Sequence, residues 1–237
     1  HHKFREKLDW ADAQIRKHYE EYEFHPIVSR LQIFCSEDLG AFYLDILKDR
    51  LYTTKADSAA RRSAQTALWH ITRWLLTTMA PILSFTAEEA WSFFAPGQLT
   101  IFENTTHSVP IPLDSAPLLK KWAVLREWKV DLTKAIEELR SAGSVGSSLQ
   151  AEVKIWAQGE LLAALQSLGE DLRFLTITSK ATVQAGPEKI EVSASPHQKC
   201  ERCWHYRADV GHDSAHPGIC GRCTSNLFGA GEERKIA

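Results

Sequence analysis

The chain has 237 residues, of which 44% are hydrophobic and 24% charged, a composition typical of a soluble globular protein. This length suits one large domain or two to three small ones. A formal net charge of −2 excludes a strongly basic protein, so any contact with nucleic acid must come from local patches. No apolar run approaches the ~20 residues that span a bilayer, and no secretory leader is recognisable. We therefore expect a cytoplasmic chain with no membrane partner.

Hydrophobic periodicity predicts helices through most of the first 140 residues, because apolar side chains recur three and four positions apart. Ser58 is placed to cap a long helix whose apolar stripe includes Ala64, Ala67 and Ile71. The predicted helices, with a break at 24–26 and irregular chain at 97–117, are 3–23, 26–39, 42–53, 58–79, 84–95 and 118–139. Long antiparallel helices around one apolar seam form a bundle, so we assign residues 1–141 to a helical bundle.

After residue 141 the pattern changes from helical to mixed. The stretch SAGSVGSS at 141–148 is typical of a linker or turn. Alternating and β-branched residues then predict strands at 153–157, 174–183 and 190–193, with a short helix at 160–168. We assign residues 142–196 to a small α+β subdomain. A unit of that size buries only ~60% of its unfolded surface, so we expect it to pack against a neighbour.

Four cysteines dominate the last predicted domain, residues 197–237. Cys200 and Cys203 form one C-x2-C pair, Cys220 and Cys223 form a second, and sixteen residues lie between the two pairs. Two such pairs complete a tetrahedral zinc site with no open position, so we predict one structural Zn²⁺ on these four thiolates. Disulfides are the alternative, but they suit secreted proteins, and Cys35 has no evident partner. The predicted fold class is mainly α: an antiparallel helical bundle, a small α+β subdomain and a four-cysteine zinc-knuckle module.

Several stretches resemble one enzyme family when they are taken together. FYLDILKDRLY at 42–52 with SAARRSAQ at 58–65, and MAPILSFTAEEAW at 79–91, resemble the anticodon-binding helical domain of class I aminoacyl-tRNA synthetases of the isoleucine, valine and leucine group. KCERCWHY at 199–206, ICGRC at 219–223 and GEERK at 231–235 resemble the C-terminal zinc module of bacterial isoleucyl-tRNA synthetases. GSVGSSLQAEV at 143–153 resembles the segment that joins the two. The resemblance covers nearly the whole chain from about Tyr19 onward.

The resemblance implies a C-terminal fragment of such an enzyme. The family's catalytic domain carries an H-I-G-H type motif and a K-M-S-K-S type loop, and neither occurs here, nor does a phosphate-binding loop. Intact members charge isoleucine tRNA with isoleucine using ATP. We expect this chain alone to have no catalytic residues, to bind no ATP and to be inactive. Its expected partners are the anticodon region of isoleucine tRNA and the catalytic part of its own full-length protein, and we expect a monomer.

Binding of tRNA requires cations for phosphates and planar groups for unstacked bases. Residues 48–73 hold six Lys or Arg against two Asp, a local charge of +4. Taken alone, such a run is more often a solvated helix face, but the resemblance favours RNA contact. Trp204 stays open between core packing and a stacking platform. The candidate RNA-binding residues are Arg50, Lys55, Arg61, Arg62 and Arg73 in the bundle, and Arg202, Trp204, Arg207 and Arg222 in the zinc module.

Two rival functions remain for the sequence alone. A DNA glycosylase that removes oxidised bases ends in a similar four-cysteine zinc finger, but it acts through an N-terminal proline amine and has no 140-residue helical bundle ahead of the finger. A non-enzymatic zinc scaffold that binds protein is the second rival. Affinity for tRNA over double-stranded DNA, falling with salt, separates the tRNA-binding function from both.

Overall fold

The computed structural model describes residues 2–109 and 116–234, and the side chains of all of these except residues 2–10. The described chain is mainly helical, with a small sheet region and a cluster of four cysteines near its C-terminal end, so the predicted fold class is confirmed. The helices are α1 His2–Glu20, α2 Phe24–Ile33, α3 Asp45–Thr53, α4 Ala59–Met79, α5 Ser84–Phe94, α6 Ala116–Ser141, α7 Gly159–Gln166, α8 Leu172–Thr176 and α9 Gly221–Phe228. The strands are β1 Ala151–Ala157, β2 Lys180–Ala185, β3 Lys189–Ala194, β4 Gln198–Lys199 and β5 Tyr206–Arg207.

Residues 24–53 are helical without interruption, which corrects two predicted boundaries. Helix α2 begins at Phe24, two residues before the predicted start. Pro26 permits this, because it lies in the first turn of the helix, where a backbone N–H would have no helical partner. The predicted end at Leu39 is also wrong, since a π-helical segment over Phe34–Leu44 runs on into α3. Gly40 resembles a helix-terminating glycine in the sequence, but it lies inside this wider helix. A Cβ at that position would stand 3.0 Å from the carbonyl oxygen of Cys35.

Contacts group residues 2–42 and 62–109 into a first compact unit, whose core is aromatic. Trp74 of α4 is fully buried; its indole N–H donates to Asp12 at 2.8 Å, and its ring meets Phe34 edge-on at 5.2 Å. Trp91 of α5 is buried in a second cluster that includes Ile101. Burial of large aromatic side chains supplies much of the stabilisation of such a unit.

The long helix α4 begins as the sequence predicts. The Ser58 hydroxyl accepts a hydrogen bond from the Arg61 N–H at 3.2 Å, which satisfies one of the free amides of the first turn. Ala64, Ala67 and Ile71 are buried, as the apolar stripe predicts. Trp74 continues that stripe, three residues after Ile71.

The second compact unit groups residues 43–61 with 116–234. It contains a three-stranded sheet in the order β2-β1-β3, with β1 parallel to β2 and antiparallel to β3. Helix α6 packs against α7 and β3 within this unit. Contacts therefore group α3 and α6 with residues that follow them much later in the chain. The three-part division at residues 141 and 196 stays a prediction.

The predicted strand at 174–183 is wrong in its first half. Phe174 and Leu175 belong to α8, both are buried, and the helix ends at Ile177 in a left-handed conformation with φ +56°. Strand β2 begins only at Lys180. The run of Thr176, Ile177 and Thr178 has the composition of a strand, but tertiary burial overrides this local preference. Among the described residues, no helix combines the length and apolar character needed to cross a membrane.

Candidate functional site

The four cysteines of the two C-x2-C pairs converge on one point. Cys200 and Cys203 lie in the turn between β4 and β5, while Cys220 immediately precedes α9 and Cys223 lies in its first turn. All four are buried, and their sulfur atoms lie within 4.8 Å of one another. The Sγ atoms of Cys200 and Cys223 are 3.8 Å apart, as are those of Cys203 and Cys220. Zn–S bonds of about 2.3 Å in a tetrahedron place neighbouring sulfurs about 3.8 Å apart, so the cluster fits zinc.

The surroundings of the sulfurs also suit a metal thiolate. The separations of 3.8 Å are far longer than a disulfide bond of about 2.05 Å, and the four cysteines are free. Hydrogen bonds among the four thiols lower the pKa of Cys200 and Cys220 and raise the pKa of Cys203 and Cys223, so protonation of the four sulfur atoms is linked. The Cys220 N–H also donates to Cys200 Sγ at 3.3 Å. Four protein ligands leave no position for an activated water, so this centre is structural.

A buried ionic cluster lies beside the zinc centre. Asp49 of α3 accepts a bidentate pair of hydrogen bonds from Arg222 of α9, at 2.7 and 2.8 Å, and a further bond from Arg234. Glu232 accepts from Arg222 at 3.2 Å and from Arg234 at 3.5 Å. Burial alone would raise the pKa of Asp49, but the hydrogen bond and charge of Arg222 and the charge of Arg234 outweigh it, so this pKa lies below its usual range. The carboxylate therefore stays ionised.

Arg202, within the first C-x2-C pair, caps the C-terminal end of α3. Its guanidinium donates to the carbonyl oxygens of Thr53 at 2.6 Å and Tyr52 at 3.3 Å. A cation at this position satisfies helix-end carbonyls that have no partner inside the helix and favours the negative end of the helix dipole. Arg202 thus fastens the first pair of cysteines to α3.

Trp204 directly follows Cys203 and is not part of a core. Its side chain is 58% exposed, and its backbone has φ +65°, a left-handed conformation that costs a bulky residue free energy. The Lys199 ammonium lies over the indole at 5.5 Å from the ring centroid. Trp204 borders a pocket of about 710 Å³ that also includes Lys48 and Tyr52, the latter 72% exposed. The pocket therefore combines two exposed aromatic rings with two lysines and two aspartates, and Lys48 pairs with Asp45 at 2.8 Å.

The other candidate cations of the second unit differ in accessibility. Arg50 is only 7% exposed, and the Arg222 side chain is 10% exposed within its ion pairs, so both present little surface to a ligand. Lys55, Arg61 and Arg207 are half-buried. These three retain surface that a phosphate could reach. Arg61 also approaches the Thr54 carbonyl oxygen at 3.5 Å, and Arg207 lies 3.6 Å from Asp209.

The candidates of the first unit lie on one side of α4. Arg62 is exposed, whereas Arg73 is half-buried and its guanidinium lies 5.4 Å from the Trp69 ring centroid. Trp69 is 42% exposed and meets the rings of His70 and His107 edge-on. The two histidines are stacked, with 2.9 Å between His70 Nδ1 and His107 Nε2. Burial, together with the charges of His70 and Arg73, lowers the pKa of His107.

Two family models match the chain. The anticodon-binding domain of tRNA ligases matches residues 1–155, and the zinc finger found in FPG and IleRS matches residues 198–226. The chain belongs to the family of tRNA ligases with this anticodon-binding domain. The zinc-finger match, with the clustered cysteines, supports the prediction of one structural zinc. The finger alone would fit more than one kind of protein, but the helical match covers more than half of the chain.

Curated relatives agree with this assignment. An isoleucine–tRNA ligase of Cupriavidus taiwanensis is 59% identical over 236 residues, which cover 95% of this chain and 24% of the relative. One from Paraburkholderia phytofirmans is 61% identical over 227 residues, covering 94% of this chain and 24% of the relative. One from a Janthinobacterium species is 58% identical over 239 residues, covering 98% and 25%. The chain thus spans about a quarter of the length of the curated relatives it matches.

Sequence reasoning missed several residues that the structure brings to these sites. Tyr52 lies in one of the family-like stretches, yet nothing in its spacing distinguishes an exposed tyrosine from a packed one. The sequence indicates Asp49 only as an acid that reduces the local positive charge of residues 48–73. Glu232 and Arg234 lie in the stretch GEERK at 231–235, for which the sequence indicates no role. Their spacing in the sequence does not indicate Asp49 as a partner.

Proposed function

We propose that this chain is the anticodon-recognition part of an isoleucine–tRNA ligase and binds the anticodon region of isoleucine tRNA. The observation that carries the proposal is that a single chain combines the anticodon-binding domain model over 1–155 with the zinc finger over 198–226. The identity of 59–61% to isoleucine–tRNA ligases in two relatives supports isoleucine tRNA as the partner. The full ligase reaction belongs to the longer protein, and we propose that this chain alone neither charges tRNA nor binds ATP.

We propose Trp204 as a stacking platform for an unpaired base. A strained backbone that holds a large aromatic side chain toward solvent is more readily understood as a binding feature than as packing. Lys199, which lines the same pocket, supplies positive charge for the phosphates that flank such a base, whereas Lys48 is paired with Asp45 at 2.8 Å. Stacking on an aromatic ring contributes ~1–3 kcal/mol per base and tolerates any base. Tyr52 offers a second ring in the pocket.

We propose phosphate contacts for the accessible cations on each unit. In the first unit these are Arg62 and the outer part of Arg73, and in the second unit they are Lys55, Arg61 and Arg207. Arg202 contributes by holding the first cysteine pair on α3, with its remaining surface available to RNA. Arg50 and Arg222 are assigned structural roles because their side chains are buried. Phosphate contacts of this kind weaken as the salt concentration rises.

We propose Cys200, Cys203, Cys220 and Cys223 as the ligands of the structural zinc. The metal would supply folding free energy to a module with little apolar core, because its binding is coupled to folding. Thiolate ligands persist in a reducing compartment, which supports a cytoplasmic location. We propose a monomer, because each candidate surface lies on one chain and requires no second copy.

A binding titration tests the function. The zinc-loaded chain is titrated with isoleucine tRNA, with the same tRNA carrying a different anticodon, and with double-stranded DNA, each at several salt concentrations. We expect the tightest binding to isoleucine tRNA, a loss of affinity when the anticodon is changed, and a salt-dependent affinity throughout. Equal affinity for the three nucleic acids, or none for any of them, would overturn the proposal. Binding of double-stranded DNA in preference to tRNA would favour the glycosylase-like alternative.

A further inference from the structure

The C-terminal residues of the described chain fold back onto α9 and α3. Gly231, with φ +87°, makes the turn, and its N–H donates to the Ser225 carbonyl oxygen at 3.1 Å. The next residue, Glu232, exchanges two hydrogen bonds with the buried Asn226 side chain, at 2.8 and 2.9 Å. These bonds fix the direction of residues 231–234, called the tail below. They bring the side chains of Glu232 and Arg234 to the ionic cluster around Asp49.

Arg234 is the most deeply enclosed cation of this cluster. Its side chain is 1% exposed, it donates to Asp49 and to Glu232, and its guanidinium stacks on the Phe174 ring at 3.4 Å from the centroid. Arg222 approaches the same ring at 5.1 Å. The tail therefore joins three parts of the second unit: α3 through Asp49, α9 through Arg222 and α8 through Phe174. A buried charge with partners on several elements fixes their relative positions, since any displacement leaves a charge unpaired.

Helix α3 holds the first cysteine pair at two points that flank Trp204. Arg202 donates to the carbonyl oxygens at the end of α3, and the His205 ring lies 3.9 Å from the Asp49 carboxylate. His205 is 3% exposed, and its Nδ1 lies 3.2 Å from the Cys203 carbonyl oxygen. The strained Trp204 backbone therefore lies between two anchored neighbours. The direction of the Trp204 side chain therefore depends on the position of Asp49 in the ionic cluster and on its contact with His205.

We propose that the tail segment Gly231–Arg234 is a positioning latch, which closes the ionic cluster around Asp49 and so fixes the zinc finger on α3 with Trp204 facing the pocket. The latch acts on the orientation of the finger and not on metal binding, because none of its side chains is a zinc ligand. Its effect on RNA affinity rests on the proposed function. Its effect on the finger does not.

The test compares three single variants of the full zinc-loaded chain. Arg234→Gln removes the buried charge at similar size, Arg234→Lys keeps the charge, and Glu233→Gln changes the exposed residue between the two latch residues and serves as the control. The measurements are zinc content, peptide-resolved hydrogen exchange over residues 199–206, and affinity for isoleucine tRNA. We expect Arg234→Gln to keep one zinc, to speed exchange over 199–206 and to weaken tRNA binding, each of the last two by roughly tenfold. Arg234→Lys should recover part of both losses, and Glu233→Gln should behave as the unchanged chain.

A double-mutant cycle distinguishes positioning from general destabilisation. If the latch acts through Trp204, Arg234→Gln should cost no further affinity in a Trp204→Ala background. Additive losses, loss of zinc from Arg234→Gln, or unchanged exchange over 199–206 would each overturn the proposal. If the unchanged chain binds no tRNA, the proposed function fails, while zinc content and hydrogen exchange still decide whether the latch exists.

Discussion

The helices of residues 2–42 and 62–109 bury Trp74 and Trp91 among apolar side chains, whereas residues 198–234 bury four thiols and a set of ion pairs. The first region has enough large side chains for a conventional hydrophobic core. The second is too short for one, and its exposed apolar side chains include Trp204, Leu227 and Phe228. Small modules of this kind are usually stabilised by a metal or by cross-links.

This difference has consequences for function. The four thiols that fit a metal lie inside the finger, and the buried ionic cluster joins the finger to Asp49 of α3, so Trp204 need not be used for packing. Among the described side chains of the first unit, Trp74 and Trp91 are buried in the core, and exposed cations such as Arg62 are the groups that we propose for RNA contact. We therefore expect loss of zinc to unfold the finger and loss of a buried aromatic side chain to destabilise the first unit, with the effects of the other substitutions smaller than these.

Loss of zinc should have the largest effect. Cys220→Ser removes one of the four proposed ligands, and structural zinc contributes on the order of 10 kcal/mol of binding free energy that is also folding free energy. We expect the variant to contain no stoichiometric zinc and to lose exchange protection over 198–228, with most of its helical signal by circular dichroism retained. A strong chelator should do the same to the unchanged chain. Full protection of residues 198–228 in metal-free protein would contradict the account.

Truncation of the buried aromatic core should come second. Trp74→Ala removes a fully buried indole and leaves Asp12 without its hydrogen-bond donor, which should destabilise the chain by ~3–5 kcal/mol in urea unfolding. Zinc content should not change, in contrast to Cys220→Ser. Phe85→Ala is the matched control, since Phe85 is 93% exposed, and it should cost less than ~0.5 kcal/mol. Similar losses from both substitutions would refute the proposed core.

The helix cap of α4 should have a smaller effect. Ser58→Ala removes the hydroxyl that accepts from the Arg61 N–H, and such caps are worth ~1 kcal/mol. We expect a lower urea midpoint, while Ser58→Asp, which retains an acceptor, should stay near the unchanged chain. Equal midpoints for all three proteins would show that the cap contributes nothing.

The smallest expected effect is a pH dependence in the first unit. Burial, with the charges of His70 and Arg73, lowers the pKa of His107 below its ordinary value near 6.5. Protonation of His107 is therefore less favourable in the folded chain than in the unfolded chain. Its contribution to the free energy of unfolding is complete above about pH 6.5, and it is lost as the pH falls through the pKa of the folded state. The NMR titration of His107 should therefore have its midpoint below 6.5, and His107→Asn should reduce the loss of thermal stability between pH 7 and pH 5.5. A midpoint above 6.5 would contradict the described packing.

Features that depend on local pattern were predictable from the sequence. The cap at Ser58, the stripe of Ala64, Ala67 and Ile71, and strand β1 all follow from spacing or composition, and the clustering of the cysteines follows from their two pairs. Features that depend on distant partners were not. Helix α8 contradicts the β-branched composition around Thr176, because burial of Phe174 decides the conformation. Similarly, the partnership of Asp49 with Arg234 joins residues 185 positions apart, which no local pattern could indicate.

The salt dependence of tRNA affinity tests the central claim most directly. Affinity for isoleucine tRNA is measured across a salt series for the unchanged chain, for the Arg61→Ala/Arg62→Ala double variant and for zinc-loaded Trp204→Ala. The double variant should bind more weakly and reduce the slope of log affinity against log salt by about one to two units, because phosphate contacts are lost. Trp204→Ala should lose ~1–3 kcal/mol with its slope unchanged, because a stacked base releases no counterions. Affinity near that of the unchanged chain in both variants would contradict tRNA recognition by these surfaces.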